Sequence, residues 1–159
     1  MAQVFLGLGS NLGDRKAHIE RAIKELINAG ITITRCADMI ETDPLGGPPQ
    51  GKYFNTVIAA ETDISPEDLL STVKAIEHRM GRTPSVRNAP RIIDIDILLY
   101  DHRSIQTPTL TIPHPRMYQR DFVLIPLQQI APQTFEELFH DHHYSNSGDV
   151  HPPTETSSS

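Results

Sequence analysis

From Ile93 to Leu99 the chain sets aliphatic residues between aspartates, so an extended backbone puts Ile93, Ile95, Ile97 and Leu99 on one face and Asp94 and Asp96 on the other. The same kind of patterning predicts a buried strand over residues 3–8, a glycine-punctuated turn over 9–14 and a helix over 14–29. That helix carries the stripe Ile19, Ala22, Ile23, Leu26 and Ile27, and Gly30 is its natural stop. Strands are expected at 31–39 and 53–61. A second helix is well signposted: Ser65 as N-cap, Pro66 in the first position, Asp68 to close a capping box and Ile64 to staple onto Leu69. Leu69, Val73, Ile76 and Met80 form its buried stripe, Glu77 lies beside it, and Gly81 ends it.

After the aspartate strand, two prolines hold residues 110–115 extended around His114, and residues 120–127 lead into a short final helix over 128–131. The order β-α-β-β-α-β predicts a ferredoxin-like α+β sandwich, mainly antiparallel sheet with helices packed on it. From Asp141 onward, Val150 is the one aliphatic residue, too little apolar area to order a chain, so a domain over 1–140 and a disordered tail over 141–159 are expected. His140, His142 and His143 beside that end read as a solvated cluster, with metal capture as the alternative. Residues 41–52, rich in proline and glycine, read as a long loop of the kind that usually carries function.

Composition narrows the chemistry. The chain has 159 residues, enough for one domain with its own core. A single cysteine, Cys36, rules out an internal disulfide, suits a reducing, cytoplasmic setting and reads as a small core or strand residue. The first residues read as a strand and not as a signal peptide, and no apolar run approaches the roughly 20 residues of a membrane span. Seven of ten arginines lie between Arg79 and Arg120, whereas all four lysines lie at or before Lys74. Seven arginines against three aspartates make that segment locally cationic within a chain of net charge −6. Guanidinium forks bind phosphate oxygens in pairs, so the segment suits a small polyphosphate better than nucleic acid, which wants an extended basic surface. An ordinary Arg-rich surface is the alternative. Two carboxylates on one strand face repel unless divalent cations sit between them, which marks Asp94 and Asp96 as a magnesium site; the alternative is an amphipathic strand with a solvated face.

Gly7-Leu8-Gly9-Ser10-Asn11-Leu12-Gly13 is spaced G-x-G-x-x-x-G, which is not the dinucleotide fingerprint, and no P-loop motif occurs. The chain instead resembles the 6-hydroxymethyl-7,8-dihydropterin pyrophosphokinase family over about residues 4–132. Five blocks in family order carry the resemblance: Leu6 to Asp14; Thr42 to Asn55, ending Tyr53-Phe54-Asn55; Glu77 with Gly81-Arg82; Pro90 to Leu98; and Ile112-Pro113-His114-Pro115 with Arg120 to Leu124. It implies that ATP gives its terminal pyrophosphoryl group to the hydroxymethyl oxygen of the pterin and releases AMP, with no covalent enzyme intermediate. It implies two Mg2+ ions on Asp94 and Asp96, with Arg82 and Arg91 joining them in catalysis. ATP would be held by Glu77, Arg82, Arg87, Arg91, Ile97, His114 and Arg120, and the pterin by Thr42, Leu45, Tyr53, Asn55 and Phe122. For Tyr53 and Phe122, core packing is the competing reading. The expected partners are ATP and a pterin, with no nucleic acid, membrane or obligate protein partner.

Two departures from the family pattern stand out: Pro84 where many members have a second arginine, and Asn88 where many have tryptophan. Arg87 is placed to cover for the missing guanidinium. These changes motivate a weakened binding module as a rival class, and a metal-dependent phosphohydrolase using water is a third. The loops around 42–52 and 81–89 are expected to close over the substrates.

Overall fold

The computed structural model describes residues 1–43, 51–81 and 92–145. Leu45, Arg82, Arg87 and Arg91, together with Pro84 and Asn88, lie outside these residues, as do residues 44–50 and 82–89 of the two loops expected to close.

The main sheet holds β1 (Ala2–Ser10), β2 (Thr32–Cys36), β3 (Ile40–Thr42), β4 (Tyr53–Thr62) and β5 (Asp94–Tyr100). The order is β2-β4-β1-β5 with β3 beside β4, and each of these pairings is antiparallel. Helix α1 (Arg15–Asn28) crosses from β1 to β2, and α2 (Pro66–Arg79) from β4 to β5. This is the expected split α+β arrangement, but the strand expected over 31–39 ends at Cys36 as β2, and β3 is a further short strand that reaches into the stretch read as a loop. Cys36 lies on β2, as a strand residue, but is exposed and outside the core.

The helix signals act as the sequence implies. The Asp14 side chain accepts the Ala17 N–H, and Ser65 Oγ accepts that of Asp68 at 3.2 Å. Gly30 and Gly81 take the left-handed φ that ends each helix (93° and 96°). Ile19, Ala22 and Leu26 of α1 and Leu69, Val73, Ile76 and Met80 pack together with Leu6, Leu8, Ile58, Ile93, Ile95 and Ile97 on one face of the sheet.

The other face is covered too. Helix α3 (Asp121–Ile130) and helix α4 (Pro132–Ser145) pack with Phe5, Val57, Ala59, Leu98 and Leu99 in a second core. The short helix expected at 128–131 is thus a full helix that starts before Pro126 and keeps it inside. An interior proline costs about 3 kcal/mol, but Val123, Leu127 and Ile130 recur at helical spacing and are all buried. Helix α4 runs five residues into the stretch expected to be tail, because residues 141–145 contain no helix breaker and continue a helix already anchored by Phe135 and Leu138. A two-stranded ribbon of β6 (Ile105–Gln106) and β7 (Thr111–Ile112) follows β5.

One face assignment is overturned. The register of β5 against β1 slips between Phe5 and Leu6: Leu6 pairs with Ile97 and Phe5 with Leu99, so Leu98 is the extra residue of a bulge. Beyond the bulge the faces swap, and Leu99 joins the second core and not the one that holds Ile93, Ile95 and Ile97. Asp94 and Asp96 precede the bulge and keep the face opposite the isoleucines.

Candidate active site

Across the central strands the register aligns Asn55, Gly9 and Asp94 in one row and Val57, Gly7 and Asp96 in the next. Residues two apart share a face, so both glycines lie on the face that carries the aspartates. With no side chains in the middle of these rows, the sheet is left with a hollow floor. A cavity of about 110 Å³ lies over it, walled by Thr42, Asp43, Tyr53, Asn55, Asp94, Asp96, Arg120, Phe122 and Val123. Four of the five residues assigned to the pterin thus surround one cavity. Asn55 Nδ2 donates to Thr42 Oγ1 at 2.8 Å, joining β4 to β3 at the rim. The glycine at position 9 is required by this arrangement, since a Cβ there would lie 2.7 Å from Asn55 Oδ1.

A second groove of about 270 Å³ opens on the other side of β5, between Leu70 and Lys74 of α2 and residues 108–111, 114 and 115, and it is lined by Ile97 and His114. Asp96 borders both hollows. The Arg120 guanidinium lies 3.6 Å from the Asp96 carboxylate and 5.4 Å from the Phe122 ring centre.

Burial holds the Asp96 carboxyl above the ordinary carboxylate range; Asp94 pushes the same way, and His114 and Arg120 oppose. Its side chain is 44% accessible, but it sits in a concavity where protein limits hydration of the charge. Burial lowers His114, against the pull of Asp96. The Arg116 N–H donates to His114 Nδ1 at 3.2 Å, which assigns the proton of the neutral ring to Nε2.

Glu77 is 3% exposed and lines neither hollow. Its Oε2 accepts the Ile95 N–H at 2.7 Å, and Lys74 Nζ lies 3.7 Å from Oε1. Not all of the cationic segment converges on the site: Arg79 pairs with Glu25 of α1 at 2.9 Å, and Arg103 stacks on Tyr100 at the far end of β5. Sequence reasoning missed Gly7 and Gly9 as a floor. The signal was present, as two glycines spaced by one residue within a strand.

The model of the 7,8-dihydro-6-hydroxymethylpterin-pyrophosphokinase family matches residues 5–132. The chain belongs to this family. It is 41% identical over 134 residues to the 2-amino-4-hydroxy-6-hydroxymethyldihydropteridine pyrophosphokinase of Bacillus subtilis, covering 84% of this chain and 80% of that protein. The Aquifex aeolicus protein of the same name is 40% identical, with 87% and 86% covered. In the larger folate synthesis bifunctional protein of Pisum sativum, 41% identical over 128 residues, the match spans 80% of this chain and 25% of that protein. A crystal structure of an HPPK-DHPS in complex with substrates shares the fold, with TM-score 0.62 and 14% identity, over 96% of this chain and 46% of the other. Apart from the first three residues of β1, the strands and helices up to α3 fall within the family match, whereas α4 lies almost wholly beyond it.

Proposed function

We propose that the two hollows are the two substrate sites of a single reaction, meeting at Asp96. The chain is an ATP-dependent pyrophosphokinase of folate biosynthesis that transfers pyrophosphate from ATP to the hydroxymethyl group of 6-hydroxymethyl-7,8-dihydropterin. Release of AMP requires the pterin oxygen to bond to the β-phosphorus as the bond from that phosphorus to the α,β-bridging oxygen breaks. A site for this chemistry must bring a flat heterocycle and a triphosphate together in line. The single observation that carries the reading is that Asp96 borders both the aromatic-walled cavity and the groove beside β5.

In this reading Tyr53 and Phe122 sandwich the pterin ring, and Asn55 and Thr42 serve its polar edge. Ile97 offers the edge of β5 to the adenine. Neutral His114 donates from Nε2 to a phosphate oxygen, and Arg120 places its guanidinium where the two substrates meet. Arg82, Arg87 and Arg91 would complete the phosphate cradle, and Leu45 the pterin rim. Glu77 positions Ile95 between the two aspartates in place of direct ATP contact. Water must be kept from the β-phosphorus, and the stacked walls would exclude it.

Asp94 and Asp96 fit magnesium. Mg2+ takes one or two protein carboxylates and completes its shell with water and phosphate oxygens, and a carboxyl held protonation-prone by burial beside a second carboxylate gains most from a cation. When bound, two such ions would neutralise charge on the attacking and leaving oxygens. Among the described residues no helix is long and apolar enough to cross a membrane. The exposed free Cys36 suits the reducing cytoplasm.

The decisive experiment incubates the protein with ATP and Mg2+, with and without the pterin, and follows AMP. Pterin-dependent AMP, matched by diphosphorylated pterin, is expected. AMP or phosphate released without pterin would make the chain a hydrolase, and binding without turnover would make it a binding module.

A further inference from the structure

The pterin-side residues are held from behind. Neighbours along a strand point to opposite faces, so Glu41, beside Thr42, and Phe54, between Tyr53 and Asn55, look away from the cavity. Glu41 and Phe54 are register partners in the β3–β4 pair. One guanidinium grips both. Arg15, at the start of α1, lies 2.8 Å from the Glu41 carboxylate through Nη2 and 4.1 Å above the Phe54 ring, while its Nη1 donates to the Lys52 carbonyl at 2.7 Å.

We propose that Arg15 is a positioning residue for the pterin: its guanidinium locks the back of the β3–β4 pair so that Thr42, Tyr53 and Asn55 hold their places on the front. The inference rests on the assignment of that cavity to the pterin. Three different contacts on one planar group are what make arginine suitable. An ion pair, a carbonyl acceptor and an aromatic face are met at once by a flat fork, whereas an ammonium is a point charge that meets one or two. Arg15 does not line the cavity, and its partners lie one residue from three of the residues that do. Its loss therefore frees the rim to sample arrangements in which the Asn55–Thr42 hydrogen bond is unmade, and the ligand must then reorder it on binding.

The test compares wild type, Arg15→Ala, Arg15→Lys and Asn55→Ala by calorimetric titration of the pterin and of an ATP analogue, steady-state KM and kcat, and thermal melts. Arg15→Ala is expected to raise pterin Kd and KM roughly fivefold, the scale of a partly exposed ion pair with a stacked ring. ATP affinity and kcat should stay within about twofold, and Arg15→Lys should recover less than half of the loss. Unchanged pterin affinity in Arg15→Ala while Asn55→Ala loses it would overturn the clamp alone. Equal losses for both ligands with a lowered melting point would show a merely structural role and overturn it as well. Full rescue by lysine would remove the planar-group argument and the proposal with it. Unchanged pterin affinity in Asn55→Ala would sink the cavity assignment itself.

Discussion

Glu77 and Ile95 are joined by a hydrogen bond of 2.7 Å from the backbone of β5 to a buried carboxylate of α2. Ile95 stands between the two aspartates, so the helix fixes the strand at the point where both carboxylates leave it. A buried donor left without an acceptor costs about 1–3 kcal/mol. Glu77→Ala should therefore lower stability by at least that much and reduce kcat, because the aspartate strand loses its anchor. Glu77→Gln keeps an acceptor oxygen and should stay within about 1 kcal/mol of wild type. Denaturant melts of both variants check this, and equal destabilisation would show that charge and not acceptance matters.

Asp96→Asn should separate function from stability. Removing such an electrostatic element is expected to cost more than about two orders of magnitude in turnover. Because the folded protein raises Asp96, the native state binds more protons than the unfolded chain, and stability falls as pH rises from the unfolded pKa through the folded one. The penalty is fully present at neutral pH and absent in acid. The asparagine variant lacks it, so its melting point should exceed that of wild type at pH 7, by a margin that the partial exposure of the side chain keeps small. The difference should vanish once pH falls below the unfolded pKa. A variant less stable than wild type at pH 7 would contradict this account of Asp96.

Magnesium should be absolutely required and should compete with protons. Chelation is expected to abolish AMP release, with recovery on adding Mg2+, and titration in the presence of pterin and an ATP analogue should find two ions per chain. Since ligation needs the carboxylate form, the apparent Mg2+ affinity should weaken as pH falls through the raised Asp96 range, above where an ordinary aspartate would act. Affinity that weakens only where an ordinary aspartate titrates would remove Asp96 from the ligand set.

Gly9→Ala should act on the pterin at a distance of one side chain. The new Cβ would force Asn55 from its place and break its bond to Thr42. A loss of about 1–2 kcal/mol in pterin binding is expected, with ATP unaffected. Gly7→Ala meets Leu98 only at ordinary contact distance, 3.6 Å, and should fold normally. Calorimetry on both variants tests the contrast.

Phe122 lines the cavity and also packs against the second core. Phe122→Ala should weaken pterin binding by about 0.5–1.5 kcal/mol beyond the lost area. Because one face of the ring is open to the cavity, its stability cost should fall below the 3–5 kcal/mol of a fully enclosed phenylalanine. A selective loss of ATP affinity would contradict its place in the pterin wall.

Local pattern by itself determined the helix ends at Asp14, Gly30, Ser65 and Gly81, the split order of strands and helices, and the shared face of Asp94 and Asp96. Each depends on residues within a turn or two of one another, and such short-range geometry is written in spacing and side-chain type. Tertiary structure decided the rest. The swap of Leu99 to the opposite core comes from a bulge against Phe5 and Leu6, more than ninety residues away. The full length of α3, across Pro126, depends on the second face of the sheet being there to cover, since burial of Val123, Leu127 and Ile130 has to outweigh a helix-breaking residue. The hollow over Gly7 and Gly9, the anchoring of Ile95 by Glu77 and the place of Asp96 between two cavities all need registers between strands that periodicity does not encode. A strand's pattern says which residues share a face, and only pairing says what lies opposite them.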